Sequence, residues 1–199
     1  MKPFLKILFL LTVFVAFACS DDESPVEPEV VPGVSVTVND LFAANSGTAK
    51  TYFRFKDSTV VTGADTLTNK WDIAFNRTTI YTNGGTSGTG SGGAAVLTNT
   101  DFATLKTAPE SGYNVDNGTS MAIPTGSGKG WYNYSGPPNH VISPIPGVVL
   151  VVKTGEGKYA KVLITSYYQG SPANPGLTDP PGYYSFKYFY QPDGSKKLE

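Results

Sequence analysis

Apolar and polar positions fall into three regimes along the chain. Residues 7–18, Ile-Leu-Phe-Leu-Leu-Thr-Val-Phe-Val-Ala-Phe-Ala, form an apolar block; residues 20–33 are acidic and punctuated by proline; from Val34 onward, short β-branched and aromatic runs are separated by Gly, Asn, Asp or Ser. The third regime is a strand-and-turn pattern. It predicts strands over residues 34–38, 51–56, 71–76, 79–82 and 94–98. Residues 148–153 and 158–168 flank Thr154-Gly155-Glu156-Gly157, whose glycines can supply positive φ, and this predicts a hairpin. In the last run Tyr184, Phe186, Tyr188 and Tyr190 alternate with Tyr183, Ser185, Lys187 and Phe189, so both faces of that strand are apolar enough to be covered. Trp71, Ile73 and Phe75 alternate with Asp72, Ala74 and Asn76, which points the three bulky side chains into one core. Asn83-Gly84-Gly85 lets the chain leave its strand sharply, and Pro192-Asp193-Gly194 makes a turn after which residues 195–199 return as a short edge or fray. The one helix predicted is short, over residues 101–106 behind an Asn99 or Thr100 cap. The pattern is that of an all-β, antiparallel single domain spanning residues 34–199, with at most one or two short helices.

Composition agrees with that fold class. The 199 residues include 22 Gly, 15 Pro, 12 Tyr and 11 Phe, with only 16% charged, the profile of a turn-rich extracellular β domain. Residues 34–199 carry 13 Lys and Arg against 11 Asp and Glu. That near-balance lacks the clustered basic footprint of a nucleic-acid-binding protein.

The first two regimes concern location. Lys2 and Lys6 precede the apolar block, which is shorter than the about 20 residues needed to span a bilayer but has the length of a secretory signal. Ala16 and Ala18 stand three and one before Cys19, the only cysteine. This resembles a bacterial lipobox lacking its usual leucine, and it predicts a signal peptide over residues 1–18 and a lipid anchor, palmitate included, on Cys19. A lone cysteine in an exported protein has no internal partner and needs some such explanation. Ser20, Asp21, Asp22 and Glu23 resemble the acidic export signal that places Bacteroidetes lipoproteins on the outer face of the outer membrane. Residues 19–33, with Pro25, Pro28 and Pro32, read as an extended tether between membrane and body.

Motifs for enzyme chemistry fail one by one. Gly88-Thr89-Gly90-Ser91-Gly92-Gly93 matches the spacing of a dinucleotide fingerprint but runs into β-type sequence rather than a helix. Gly126-Ser127-Gly128-Lys129-Gly130 has glycine where a phosphate loop needs Ser or Thr. His140 is the only histidine, no Gly-x-Ser-x-Gly elbow accompanies it, and a His/Cys zinc site is excluded by count. Asp57, Asp65, Asp116, Asp179 and Asp193 stand singly in turn-like contexts, for which solvated turn chemistry is the ordinary role. A binding protein is expected rather than an enzyme.

Several motifs in order carry a resemblance. Lys70-Trp71-Asp72-Ile73-Ala74-Phe75-Asn76-Arg77, then Thr82-Asn83-Gly84-Gly85-Thr86-Ser87-Gly88, Trp131-Tyr132-Asn133-Tyr134, residues 151–161, and Tyr184-Ser185-Phe186-Lys187-Tyr188 with Asp193-Gly194-Ser195 resemble the HmuY-like family of Bacteroidetes surface lipoproteins. The resemblance implies a hand-like all-β domain that binds haem or porphyrin for iron acquisition and passes it to a TonB-dependent outer-membrane receptor. It also implies axial ligation by two histidines, which one His140 cannot supply. Other members are thought to use methionine, so His140 and Met121 are the candidate ligands of haem iron, a His/Met pair being an established arrangement. Tyrosine is a third ligand type, and Tyr132 and Tyr134 lie near His140 in sequence.

Against these roles, methionine is commonly a core gap-filler and a loop histidine commonly a solvated side chain. Two functions of different class follow: haem or porphyrin capture, and a surface interaction or adhesion module whose aromatic residues bind a protein or glycan without metal. A glycosidase is a distant third, needing two carboxyl groups converging in a cleft.

Overall fold

A computed structural model describes residues 31–199. The signal peptide, Cys19 and all but the last residues of the tether lie outside the described residues. Within them the chain forms β1 (Val34–Phe42), β2 (Thr51–Arg54), β3 (Thr59–Val61), a 3-10 turn (Gly63–Leu67), β4 (Ile73–Asn76), β5 (Thr79–Thr82), β6 (Gly93–Leu97), β7 (Tyr132–Tyr134), β8 (Ile142–Pro144), β9 (Val149–Lys153), β10 (Tyr159–Tyr168) and β11 (Pro181–Gln191). No helix among the described residues is long and apolar enough to cross a membrane.

The strands make an antiparallel five-stranded sheet ordered β1-β11-β10-β9-β6, a four-stranded sheet ordered β3-β2-β4-β5, and the ribbon β7-β8. The 9–10 hairpin forms as the sequence predicts: Tyr159 pairs with Lys153, Gly157 takes φ +80, and its N–H donates to the Thr154 carbonyl at 2.9 Å. The alternation in β11 is also realised. Tyr184, Phe186, Tyr188 and Tyr190 face the main core, while Phe189 joins Val151, Ala108 and Leu198 on the other face.

The main core lies between the two larger sheets. Phe53 meets Phe186 edge-on at 5.4 Å, Phe55 meets Tyr188 at 4.9 Å, and Phe75 meets Tyr184 at 4.5 Å. Offset and edge-to-face aromatic pairs of this kind add to the burial of apolar area. The phenols in this core find partners: Tyr188 Oη donates to the Phe55 carbonyl at 2.7 Å and Tyr184 Oη to the Arg77 carbonyl at 3.0 Å. Each bond ties a strand of one sheet to the other, where an unpaired buried hydroxyl would cost stability.

Three expectations are corrected. Trp71 precedes β4 and turns away from Ile73 and Phe75. It packs with Val61 and Ala74, edge-on to Tyr52 at 4.9 Å, and its indole N–H donates to the Thr66 carbonyl. Residues 101–106 form a turn held by the Leu105 N–H on the Asp101 carbonyl, not a helix; the Lys161 ammonium takes the Phe102 and Leu105 carbonyls, satisfying groups a longer helix would have bonded internally. The strand expected over residues 51–56 ends at Arg54, and the chain returns as β3, which the sequence pattern did not mark. Of the two outcomes the sequence left open for residues 195–199, the chain takes the return as a short edge: Lys197 bridges Thr107 antiparallel, Leu198 is fully buried, and its N–H donates to the Lys106 carbonyl at 2.8 Å.

Candidate functional site

Two of the larger clefts hold the two predicted ligands, one each. His140 borders a cleft of about 510 Å³ where three connections converge: the β4–β5 turn (Arg77, Thr78), the β7–β8 loop (His140, Ile142) and the β10–β11 loop (Leu177, Asp179). Tyr167, Tyr168 and Pro181 complete its apolar wall. Met121 borders a different cleft of about 660 Å³, and the two share no lining residue. The structure therefore does not bring Met121 to His140.

The loop carrying His140 is closed by its own backbone. His140 N–H donates to the Gly136 carbonyl at 2.8 Å, Ser135 N–H donates to the Val141 carbonyl at 2.9 Å, and the Ser135 hydroxyl accepts from Val141 N–H. Gly136 at φ +70 and His140 at φ +52 both sit in the left-handed region, which histidine enters more readily than most residues. Ile142 N–H donates to Tyr168 Oη at 2.9 Å, which anchors the loop's far end to β10. Beside it, Tyr134 Oη is hydrogen-bonded to His140 Nδ1, with ring centroids 5.8 Å apart. In the tautomer in which Nδ1–H donates to the phenol oxygen, Nε2 keeps its lone pair for coordination, the usual arrangement in which an outer partner orients a metal-binding imidazole.

The rest of the cleft combines apolar side chains with one cation, Arg77, one carboxylate, Asp179, and the polar Asn45 and Thr78. Leu177 stands 73% exposed on its loop, an unburied aliphatic side chain at a cleft mouth. Arg77, at φ +49, uses Nε to donate to the Asn45 carbonyl at 3.1 Å, which leaves its terminal nitrogens for another acceptor. Burial pushes the Tyr167 phenol up to about 12, so it stays neutral at physiological pH and offers no phenolate to a metal. Asp179 spends one carboxylate oxygen on the Gly176 N–H at 2.8 Å, bracing the same loop. Among the described residues no group of three or more His, Cys, Asp or Glu side chains could hold a metal ion by itself.

Of the tyrosines near His140 in sequence, Tyr134 is its hydrogen-bond partner, whereas Tyr132 is buried, packed on Trp131 at 5.0 Å. Arg77 and Leu177 were not singled out as cleft residues by sequence. Arg77 carried no signal, because its place depends on a left-handed turn between two strands. Leu177 did carry one: in Asn174-Pro175-Gly176-Leu177-Thr178-Asp179-Pro180, a lone leucine has no strand to bury it.

The conspicuous motif residues hold the fold. Asn83 is fully buried; Nδ2 donates to the Thr68 and Trp71 carbonyls at 2.9 and 2.8 Å, and Oδ1 accepts from Gly90 N–H at 3.0 Å. The glycine-rich segment winds around it so closely that a Cβ on Gly88 would lie 2.1 Å from Asn83 Oδ1. That segment leads into β6, not a helix. Asp116 corrects the solvated-turn expectation: it is fully buried, accepting from Thr82 N–H at 3.0 Å and Ala122 N–H at 2.7 Å. Asp72 is likewise buried, with Phe55 N–H at 2.7 Å and Gly155 N–H at 3.4 Å on its two oxygens.

Comparison with known proteins agrees with this architecture. The apo HmuY analog of Tannerella forsythia superposes with a TM-score of 0.56 at 22% identity, over 82% of this chain and 99% of that one. A putative HmuY-like heme binding protein of Bacteroides vulgatus gives 0.50 at 22% identity, over 80% and 92%. A putative lipoprotein of Bacteroides fragilis gives 0.50 at 18%, over 80% and 89%. At such identities these likenesses speak to the fold. No curated protein sequence matches the chain. The HmuY protein family model matches residues 46–188, well over half of the sequence, and the chain belongs to the HmuY family.

Proposed function

We propose that this protein captures haem or a related porphyrin in the His140 cleft, as a lipid-anchored protein on the outer face of the outer membrane, and passes it to a TonB-dependent receptor. The observation that carries the reading is that the only imidazole of the chain borders a cleft of about 510 Å³ that is partly walled by apolar side chains, within the ordinary range for small-molecule sites. Family membership and the heme-binding description of the Bacteroides vulgatus neighbour support it.

The cleft residues divide the work by chemistry. His140 Nε2 would hold the iron, with the imidazole oriented by Tyr134. Leu177, Ile142 and Pro181 would lie against an apolar ligand surface, and Arg77 would offer its terminal nitrogens to a propionate. When bound, the iron centre supplies a Lewis-acidic site that one imidazole can occupy, as in globin-type ligation. Met121 borders the other cleft and takes no part in this seat. The activity is binding and delivery, not catalysis.

Haemin titration of the purified protein, followed in the Soret region, tests the reading. One saturable equivalent per chain, unaffected by Met121→Ala, is expected. A spectral change no larger than that given by an unrelated protein would favour an interaction or adhesion module instead.

A further inference from the structure

The cleft that holds Met121 is the larger of the two, and its chemistry differs from that of the His140 cleft. It is lined by Asn114, Asn117, Thr119, Ser120 and Thr125, with Lys129 at its side and no acidic residue in its wall. Among the described residues, the side chains of Asn114, Thr119, Ser120, Thr125 and Lys129 make no hydrogen bond or ion pair with the protein. Asn117 uses only Oδ1, accepting from Ser120 N–H at 2.9 Å, so its amide donors are also free. The wall includes Tyr113, whose hydroxyl is buried without a partner.

The backbone beneath these groups is fixed. Asn114 exchanges both main-chain hydrogen bonds with Ala94 at 2.9 Å each, extending the five-stranded sheet. Asn117 N–H donates to the Ser120 carbonyl at 3.0 Å, and the buried carboxylate of Asp116 holds Ala122 N–H at 2.7 Å. A row of uncommitted amides and hydroxyls on a braced frame is therefore presented to one cavity. Neutral donors and acceptors at short spacing match the hydroxyls of a sugar ring, each of which both donates and accepts. One ammonium without a countercharge adds a preference for an anionic substituent. A single lysine without a cluster of converging amide N–H groups is poorly suited to a polyphosphate.

We propose that this cleft is a saccharide site selective for acidic sugars, with Lys129 binding the sugar carboxylate and the Asn114, Asn117 and Thr125 side chains binding ring hydroxyls. It stands apart from the haem reading, because the two clefts share no lining residue. A surface protein with such a site would hold on to acidic glycans while its other cleft takes its own ligand.

The test is titration calorimetry of the purified protein with trigalacturonate and with 3′-sialyllactose, using maltotriose and lactose as neutral counterparts. At least one acidic sugar is expected to bind saturably, roughly 10-fold tighter than its neutral counterpart, with that advantage lost in Lys129→Met and reduced by added salt. Asn114→Ala is expected to weaken acidic and neutral sugars alike, and haemin is expected to leave sugar binding unchanged. Lys129 is exposed and its side chain makes no protein contact that folding depends on, so its variant reports on the site. The absence of binding to all four sugars at millimolar concentration, equal affinity in Lys129→Met, or displacement of the sugar by haemin would each overturn the assignment.

Discussion

Tyr134 Oη and His140 Nδ1 are hydrogen-bonded across the β7–β8 connection, and this contact holds the imidazole ring in one orientation. With Nδ1–H donating to the phenol oxygen, the lone pair of Nε2 remains free. Tyr134→Phe keeps the ring and removes only that partner. Haemin affinity is expected to fall roughly 10-fold, as for other outer partners of metal-binding histidines, with the thermal midpoint unchanged because Tyr134 is exposed. A Soret titration compares the two proteins, and equal affinities would show that the contact does not orient His140.

Asn83 is the polar centre of the glycine-rich loop. Its amide satisfies the buried Trp71 carbonyl together with the partly buried Thr68 carbonyl and Gly90 N–H. Asn83→Ala leaves those groups unpaired, and a loss of about 2–4 kcal/mol of folding stability is expected. Urea denaturation measures it. Retention of full stability would mean that water replaces the side chain in the loop.

Asp72 makes stability depend on pH. Burial pushes its carboxyl up to about 6, opposed by the Phe55 and Gly155 N–H groups, which favour the carboxylate. A folded-state value above the unfolded one means that folding favours the protonated form. The contribution is complete below about pH 4 and is lost as pH rises through about 6. The advantage of the native protein over Asp72→Asn should therefore shrink by about 2 kcal/mol between pH 4 and pH 7. Paired urea melts at the two pH values check this, and an advantage that grew with pH would reverse the assignment.

Sequence periodicity was a good guide wherever one face of a strand is buried by many neighbours. Tyr184, Phe186 and Tyr188 in β11, and the hairpin over Thr154 to Gly157, lie where the pattern placed them. It failed where a single polar contact outweighed the alternation. Trp71 follows the period-two rule on paper, but its indole N–H is drawn to the Thr66 carbonyl and its ring to Tyr52. Asp116 reads as a turn residue because burial of a carboxylate by backbone N–H groups leaves no mark in the local sequence. The cleft was legible in part. His140 stood out by being alone, whereas Arg77 and Leu177 reach it through loops whose convergence is a matter of topology. Met121 was singled out for its chemistry, and chemistry does not reveal which cleft a residue borders.

The measurement that bears most directly on this account is the haemin affinity of His140→Ala against that of the native protein, read in the Soret region. His140 is exposed, so its loss leaves the core intact and the comparison isolates ligation. The account predicts that the substitution removes the imidazole-type spectrum and weakens binding by at least about 10-fold. Identical titrations for the two proteins would contradict it and place any bound tetrapyrrole outside the His140 cleft.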